Sequence, residues 1–226
     1  MSDQELAVIL LTVKVAALST AVTMPLAVGL GWVFARKRMP FKSAAEALIS
    51  LPLVAPPVVT GYLLLLLLGR KGCIGGALEA LFGVRLTFNF GALVVASVVV
   101  SLPLSVRAVR AAFELVDPAY EKASLTLGAS PAATFFRVSL PMAMPGVLGG
   151  AVLAFARSLG EFGATITLAG NIAGKTQTIA LMVYSHMQIP GTEMQVARLV
   201  VFSVVLSLSA IAVSEWMNRK RVYEKK

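Results

Sequence analysis

The chain has 226 residues, of which 58% are hydrophobic and only 14% are charged, and its formal net charge is +9. This composition excludes an ordinary soluble domain, and basic residues that cluster beside apolar stretches argue against a nucleic-acid-binding face. A single cysteine excludes an intramolecular disulfide, and a single histidine leaves little for metal binding. The sequence therefore predicts an all-α, polytopic membrane protein without a metal site or a cofactor.

The first predicted span covers residues 6–34, which exceeds the roughly 20 apolar residues that cross a bilayer. Acidic residues rather than basic ones precede it, so we expect no removable signal peptide. Basic residues follow it immediately: Arg36, Lys37, Arg38 and Lys42. Because short basic loops remain in the cytoplasm, this cluster predicts that the amino terminus lies outside and the first loop inside.

The second predicted span, residues 44–68, contains Pro52 and the pair Pro56-Pro57. Its helix must be kinked or broken near these prolines. A break at membrane depth needs protein or a water-filled cavity around the freed backbone, so it indicates either a pathway-facing site or a purely structural kink. The glycine-rich stretch 69–89 that follows is predicted to lie outside.

Three more spans are predicted, at residues 90–112, 144–169 and 196–217, followed by a basic tail at 218–226. The apolar part of residues 176–189 is too short to cross, and a sixth span there would place the basic tail outside. We therefore expect an external or re-entrant helix there, and five spans with the carboxyl terminus inside. Few basic residues then fall on the outer side: Arg70, Lys71, Arg85 and Lys175.

The stretch 117–143 is the longest one that is typical of water-soluble structure. Asp117 can cap a helix whose first position is Pro118, and Gly128 can end that helix in a left-handed conformation. Ser130 and Pro131 repeat the start signal. We expect a second short helix that runs to Leu140 and is stopped by Pro141.

The spacing from Gly128 to Val138 and then to Leu140-Pro141 resembles the cytoplasmic loop of ABC importer permeases. The family pattern is Glu-Ala-Ala, three residues, Gly, nine residues, Ile, one residue, Leu-Pro. Lys122 and Ser124 depart from it, although Glu121 stands just before. In such permeases this loop docks on the ATP-hydrolysing subunit; from the loop alone, a surface helical hairpin is the alternative. The resemblance implies that coupling falls to Glu121, Lys122, Ala123, Gly128, Leu140 and Pro141.

Three basic residues lie within the predicted spans, namely Lys14, Arg157 and Arg198. Lys14 and Arg198 lie near outer ends, where long side chains can reach the interface. Arg157 lies deeper and costs about 2.5–3.5 kcal/mol unless it is paired or hydrated. Glu161 lies one helical turn later, so the two form either a neutralising ion pair or a buried gate that senses an oxyanion.

Neutral hydrogen-bonding groups and glycines follow this pair along the chain. A sparse polar path of this kind suits brief contact with a hydrated oxyanion, since a deep binding well would slow release. The candidate residues of the translocation path or gate are Arg157, Glu161, Gly163, Thr165, Asn171, Thr176, Gln177 and Thr178.

The segment Leu159–Thr165, with Gly170-Asn171-Ile172 and Thr176-Gln177-Thr178, resembles the molybdate and sulfate group of ABC importer permeases. The resemblance implies a type-1 permease domain over residues 6–217 in the cell inner membrane. It further implies a homodimer in membrane lipid, two cytoplasmic ATPase subunits, a periplasmic molybdate-binding protein and no enzymatic activity of its own. The chain length favours molybdate, with tungstate as a companion; sulfate or thiosulfate is the alternative substrate.

Other classes fit less well. A secondary anion transporter or channel commonly shows internal repeats, and the sequence has no convincing one. A membrane enzyme would need paired carboxylates or a nucleophile beside a base, and His186 stands alone. The segment GNIAGKT at 170–176 misses the phosphate-binding loop pattern because its first glycine is one position off.

Overall fold

The computed structural model describes residues 2–37 and 39–223. Within these ranges the regular structure is entirely helical, which confirms the predicted fold class. Arg38, Lys225 and Lys226, which belong to the predicted basic cluster and basic tail, lie outside the described residues. The helices are α1 (Asp3–Arg36), α2 (Lys42–Val54), α3 (Pro57–Leu68), α4 (Cys73–Phe82), α5 (Phe90–Glu114), α6 (Pro118–Thr126), α7 (Pro131–Thr134), a π-helical segment (Phe135–Ser139), α8 (Leu140–Leu159), α9 (Gly163–Leu168), α10 (Ile179–His186) and α11 (Glu193–Tyr223).

Four helical stretches are long and apolar enough to cross a membrane, and α2 with α3 forms a fifth if the bent pair counts as one span. The two helices of this pair meet at an angle of 115°. Ala55 is extended between them, and Pro56 and Pro57 cannot donate the hydrogen bonds that would continue α2. The break predicted from the prolines is therefore confirmed.

Helices α1, α5 and α8 pack together as the centre of the fold. The buried face of α1 repeats every three or four residues, as in Val8, Thr12, Val15, Ser19 and Thr23. All faces of this helix are apolar, so small and weakly polar side chains, rather than hydropathy, distinguish the face that packs on protein. The half of the bundle next to the 117–143 loop buries larger groups, including Phe34, Phe113 and Val147.

Hydroxyl groups link the three central helices. Ser19 donates to Ser158 at 3.0 Å, and the hydroxyls of Thr23 and Ser101 lie 3.2 Å apart. Ser105 donates to the carbonyl of Gly150 at 3.3 Å. Such interhelical bonds contribute about 0.6 kcal/mol each in a membrane, so they fix the register of the bundle more than its stability.

The sequence predicted that Pro141 stops the second helix of the 117–143 loop, but the helix does not end there. It continues through the π-helical segment into α8, so that Pro131–Leu159 forms one candidate span. In the π-helical segment the Leu140 amide bonds to the Phe135 carbonyl five residues back. The helix then runs on through Pro141, as α1, α5 and α8 run on through Pro25, Pro103 and Pro145.

The range 144–169, predicted as the fourth span, covers most of α8, a break and the short helix α9. Residues 176–189 contain α10, whose eight residues extend about 12 Å and cannot cross a bilayer alone. The stretch 69–89 also contains a helix that the sequence analysis did not predict, α4, which leaves Ile74, Leu81 and Phe82 exposed.

Candidate functional site

The loop between α5 and α8 follows the local signals of its sequence. The Asp117 carboxylate accepts from the Ala119 amide at 2.8 Å and caps α6. Gly128 has φ +88° and ends the helix, with its amide bonded to the Leu125 carbonyl and the Ala129 amide to the Ser124 carbonyl. These two bonds form a Schellman motif, which needs a residue that tolerates the left-handed region. The predicted end of α6 at Gly128 is therefore confirmed.

Glu121 faces the protein interior. Its Oε1 accepts from Arg36 Nε at 3.0 Å and from the Ser139 hydroxyl at 2.8 Å. Arg36 Nη2 also donates to the Val116 carbonyl at 2.7 Å. One carboxylate thus joins the inner end of α1, helix α6 and the π-helical segment. Arg36 was predicted only as part of a basic cluster, and nothing in the sequence pairs it with a residue so distant along the chain.

The outward side of the loop carries exposed apolar groups beside basic ones. Leu115 is 88% exposed and Leu127 is 87% exposed. Tyr120, Leu125 and Phe136 are also exposed. Among the sequence-predicted coupling residues, Lys122, Ala123, Gly128 and Pro141 are exposed, whereas Leu140 packs against the inner core of the bundle. Such a surface can bury leucine side chains against a partner protein.

A second feature is the break between α8 and α9, where the predicted pair Arg157 and Glu161 meets. Arg157 Nη1 lies 2.8 Å from Glu161 Oε2, outside hydrogen-bond geometry, and Glu161 Oε1 accepts from the Ala164 amide at 2.8 Å. Glu161 lies beyond the last residue of α8, so the pair spans the break instead of following one helix face. The side chain of Glu161 is almost fully buried, and the side chain of Arg157 is about one quarter exposed.

The two broken elements touch at Gly163. A Cβ atom there would lie 2.6 Å from the Pro57 Cβ and 3.0 Å from the Val58 amide nitrogen, so only glycine allows this approach. The start of α3 therefore packs directly on the start of α9. The sequence indicated each break separately, and the structure brings them together.

Three of the predicted path residues hold the local backbone. Thr165 donates to the Phe162 carbonyl at 2.9 Å, and Asn171 donates to the Ser185 hydroxyl at 2.6 Å. Thr176 accepts from the Ile172 amide at 3.0 Å and donates to the Gly170 carbonyl at 3.3 Å. Their polar groups are used in shaping the 170–178 loop and α9.

Gln177 and Thr178 differ from these three because both are buried and, among the described residues, neither side chain has a hydrogen-bond partner. Gln177 lines a cavity of about 350 Å³ against α1, with Lys14 and Gln4 on the opposite wall. The ammonium of Lys14 lies 5.2 Å from the centre of the Phe90 ring. The sequence analysis placed Lys14 at the outer end of a span and did not connect it with Gln177.

Another cavity, of about 300 Å³, lies between α2 and α5 at the inner half of the bundle. Arg110 Nη1 lies 2.7 Å from Glu46 there, and Arg107 donates to the Ser50 hydroxyl at 3.1 Å. Because residues at i and i+3 share a helix face, Arg107 and Arg110 lie together on α5, and nothing in the sequence indicates their partners on α2. Within the described residues, no cluster of three or more His, Cys, Asp or Glu could hold a metal ion.

The sequence matches the family described as "Binding-protein-dependent transport system inner membrane component" over residues 27–223. The molybdenum transport system permease protein ModB of Haemophilus influenzae is 50% identical over 96% of this chain and 94% of the relative. ModB of Escherichia coli K12 is 44% identical over 97% of this chain and 96% of the relative. The sulfate transport system permease protein CysT of Salmonella typhimurium is 39% identical over 70% of this chain and 57% of the relative.

Two solved structures share the fold at low sequence identity. A bacterial ABC transporter involved in the import of alginate gives a TM-score of 0.77 at 18% identity, over 97% of this chain and 80% of that chain. The methionine ABC transporter MetNI gives a TM-score of 0.72 at 16% identity, over 97% of this chain and 99% of that chain. With its several apolar helices, the chain is a multi-pass inner-membrane protein, and it belongs to the family of binding-protein-dependent transport system inner membrane components.

Proposed function

We propose that the chain is the permease subunit of an ATP-driven ABC importer for molybdate, with tungstate as a companion substrate. The observation that carries the substrate is the near full-length match, at 44–50% identity, to relatives described as molybdenum transport permeases. The sulfate relative matches a smaller part of both chains. Molybdate and sulfate are both tetrahedral dianions, so charge alone does not separate them.

The surface between α5 and α8 supports a role in coupling to a separate ATPase subunit. Leu115 and Leu127 are almost fully exposed, and exposed leucines on a loop with Lys122 are suited to docking in an apolar groove with an acidic rim. Gly128 would act as the hinge. Leu140 would anchor the loop to the bundle, and Glu121 would serve as an internal strut instead of a docking contact.

Two copies of the chain would form the path, with the amino terminus outside and the carboxyl terminus inside. A periplasmic binding protein would deliver the anion to the outer side, and membrane lipid would cover the remaining apolar faces. ATP would be hydrolysed by the partner subunits, so this chain would have no enzymatic activity of its own. Alternating access would follow as the two ATPase subunits close and pull the loops together.

The path itself would pass the two broken elements that meet at Gly163. Arg157 is partly exposed and close to a buried carboxylate, so an anion that reaches it would compete with Glu161 for the guanidinium. Such competition gives a weak and short-lived contact, which fits a transporter better than a tight site does. We therefore propose that Arg157 and Glu161 form a gate that opens toward an oxyanion.

The experiment that tests this function is uptake of labelled molybdate by cells that lack the chain and by cells in which it is restored. We expect restored uptake to be blocked by excess tungstate and scarcely affected by excess sulfate. A normal molybdate uptake combined with a sulfate defect would move the substrate to sulfate or thiosulfate. Uptake by the purified chain without an ATPase subunit would instead favour a secondary transporter or channel.

A further inference from the structure

The cavity between α1 and the 170–178 loop, which we call the outer cavity, contains polar groups that the fold itself does not use. Its lining includes Gln4, Lys14, Gly174 and Gln177 among apolar residues of α1. No carboxylate is among these lining residues. At about 30 Å³ for each water, 350 Å³ holds roughly ten water-sized molecules, which is room for a small hydrated ion.

Among the residues that line the outer cavity, Gln177 gives the most information about a possible ligand. The residue is only 8% exposed, and its backbone amide donates to the Ile172 carbonyl at 3.2 Å, yet its side-chain amide makes no hydrogen bond to any residue that the structure describes. The side-chain amide is not among the fully enclosed polar groups that lack a partner, so it keeps access to the space of the cavity. The neighbouring Thr176 spends its hydroxyl on the loop backbone, whereas the buried hydroxyl of Thr178 also lacks a partner among the described residues. The free amide of Gln177 therefore indicates a ligand that enters from the cavity.

Lys14 determines the charge of that ligand. It lies about three turns into α1, roughly 16 Å from the helix start, and it is exposed, so its long side chain can carry the ammonium toward the interface. No carboxylate within the described residues pairs with it, and its nearest aromatic contact is the ring of Phe90. The nearby Glu5 is occupied by Arg198 at 2.8 Å. The outer cavity thus combines an ammonium that no carboxylate of the described residues neutralises with a side-chain amide that has no protein partner.

We propose that the outer cavity is a binding site for a tetrahedral oxyanion. The ammonium of Lys14 would neutralise one negative charge, and the amide of Gln177 would donate to an oxyanion oxygen. Two sources carry this chemistry: the transported anion as it enters, and the phosphate of a lipid headgroup held at the outer leaflet. The first source rests on the function proposed above, whereas the second does not.

The test uses the purified complex of this chain with its ATPase subunit, without the binding protein, and measures equilibrium binding of labelled molybdate. Lys14→Gln removes the charge, and Gln177→Glu replaces the amide by a carboxylate of the same shape. We expect each variant to bind molybdate about tenfold to 100-fold more weakly than the wild type. Lys175→Gln is the matched control, because it removes a charge from the same loop outside the cavity lining.

Mass spectrometry of retained phospholipid distinguishes the two sources. If both variants lose a lipid that the wild-type complex and Lys175→Gln retain, while molybdate binding is unchanged, the site binds a lipid phosphate. Equal molybdate binding and equal lipid retention in all four proteins would overturn the proposal, as would a wild-type complex that binds neither. If such a negative result is obtained and wild-type cells still take up molybdate, the proposed transport function stands and only the binding site is disproved.

Discussion

The ion pair between Arg36 and Glu121 is the contact whose loss we expect to have the largest effect on the loop. The side chains are 13% and 17% exposed, and the same carboxylate oxygen also accepts from Ser139. Removing one partner of a fully buried pair costs about 3–5 kcal/mol, whereas an exposed pair contributes about 0.2–1 kcal/mol. For this intermediate burial we expect Arg36→Met or Glu121→Gln to destabilise the protein by roughly 2–3 kcal/mol.

A double-mutant cycle separates the pair from its surroundings. Since the double variant leaves no uncompensated charge, we expect it to lose less than the sum of the single variants, with a coupling energy of roughly 1–2 kcal/mol. Thermal unfolding of the detergent-purified protein gives the four stabilities. Arg137→Met, which removes an exposed arginine from the π-helical segment, is the control and should change little. A coupling energy near zero, or an equal effect of the control, would refute the claim that Glu121 supports the loop through its ion pair with Arg36.

Two further predictions concern the hinge and the gate. Gly128→Val forces a β-branched residue to φ +88° with no neighbour in the way, so it should destabilise the protein by roughly 1–2 kcal/mol and lower the uptake per ATP hydrolysed. Gly128→Asn should retain coupling, because asparagine tolerates the left-handed region. Unchanged uptake in the valine variant would disprove the role of Gly128 as a hinge. Arg157→Ala should reduce molybdate uptake while co-purification with the ATPase stays intact, and adding Glu161→Gln, which removes the unpaired carboxylate, should not restore uptake. If the double variant restores uptake, the pair is structural and not a gate.

The sequence predicted the local geometry of the loop well because short-range signals determine it. Asp117 and Ser130 cap their helices through contacts two or three residues away, and Gly128 adopts its φ without help from distant groups. The prolines between α2 and α3 likewise break the helix by their own missing amides. Composition was sufficient for the fold class, since few soluble arrangements tolerate so many apolar residues.

Contacts between distant parts of the chain could not be predicted from short-range sequence signals. Glu121 turns inward because Arg36 lies at the end of another helix, and no spacing rule connects them. The wrong expectation at Pro141 arose because a proline does not by itself stop a membrane helix, and Pro25, Pro103 and Pro145 also lie inside helices. Lys14 and Gln177 line the same cavity only because α1 packs beside the 170–178 loop. Each of these depends on how helices are placed in three dimensions.

The π-helical segment at Phe135–Ser139 also determines how far α7 is rotated about the helix axis relative to α8. In an α-helix each residue advances the chain by about 100° around the axis, and a π turn takes up an additional residue without that advance. The face of α7 is therefore offset from the face of α8 that packs in the bundle. Deleting a single residue here would leave hydropathy and helix content almost unchanged, yet it would rotate α6 and α7 away from any partner beneath them. The orientation of the whole loop is thus encoded in a residue count.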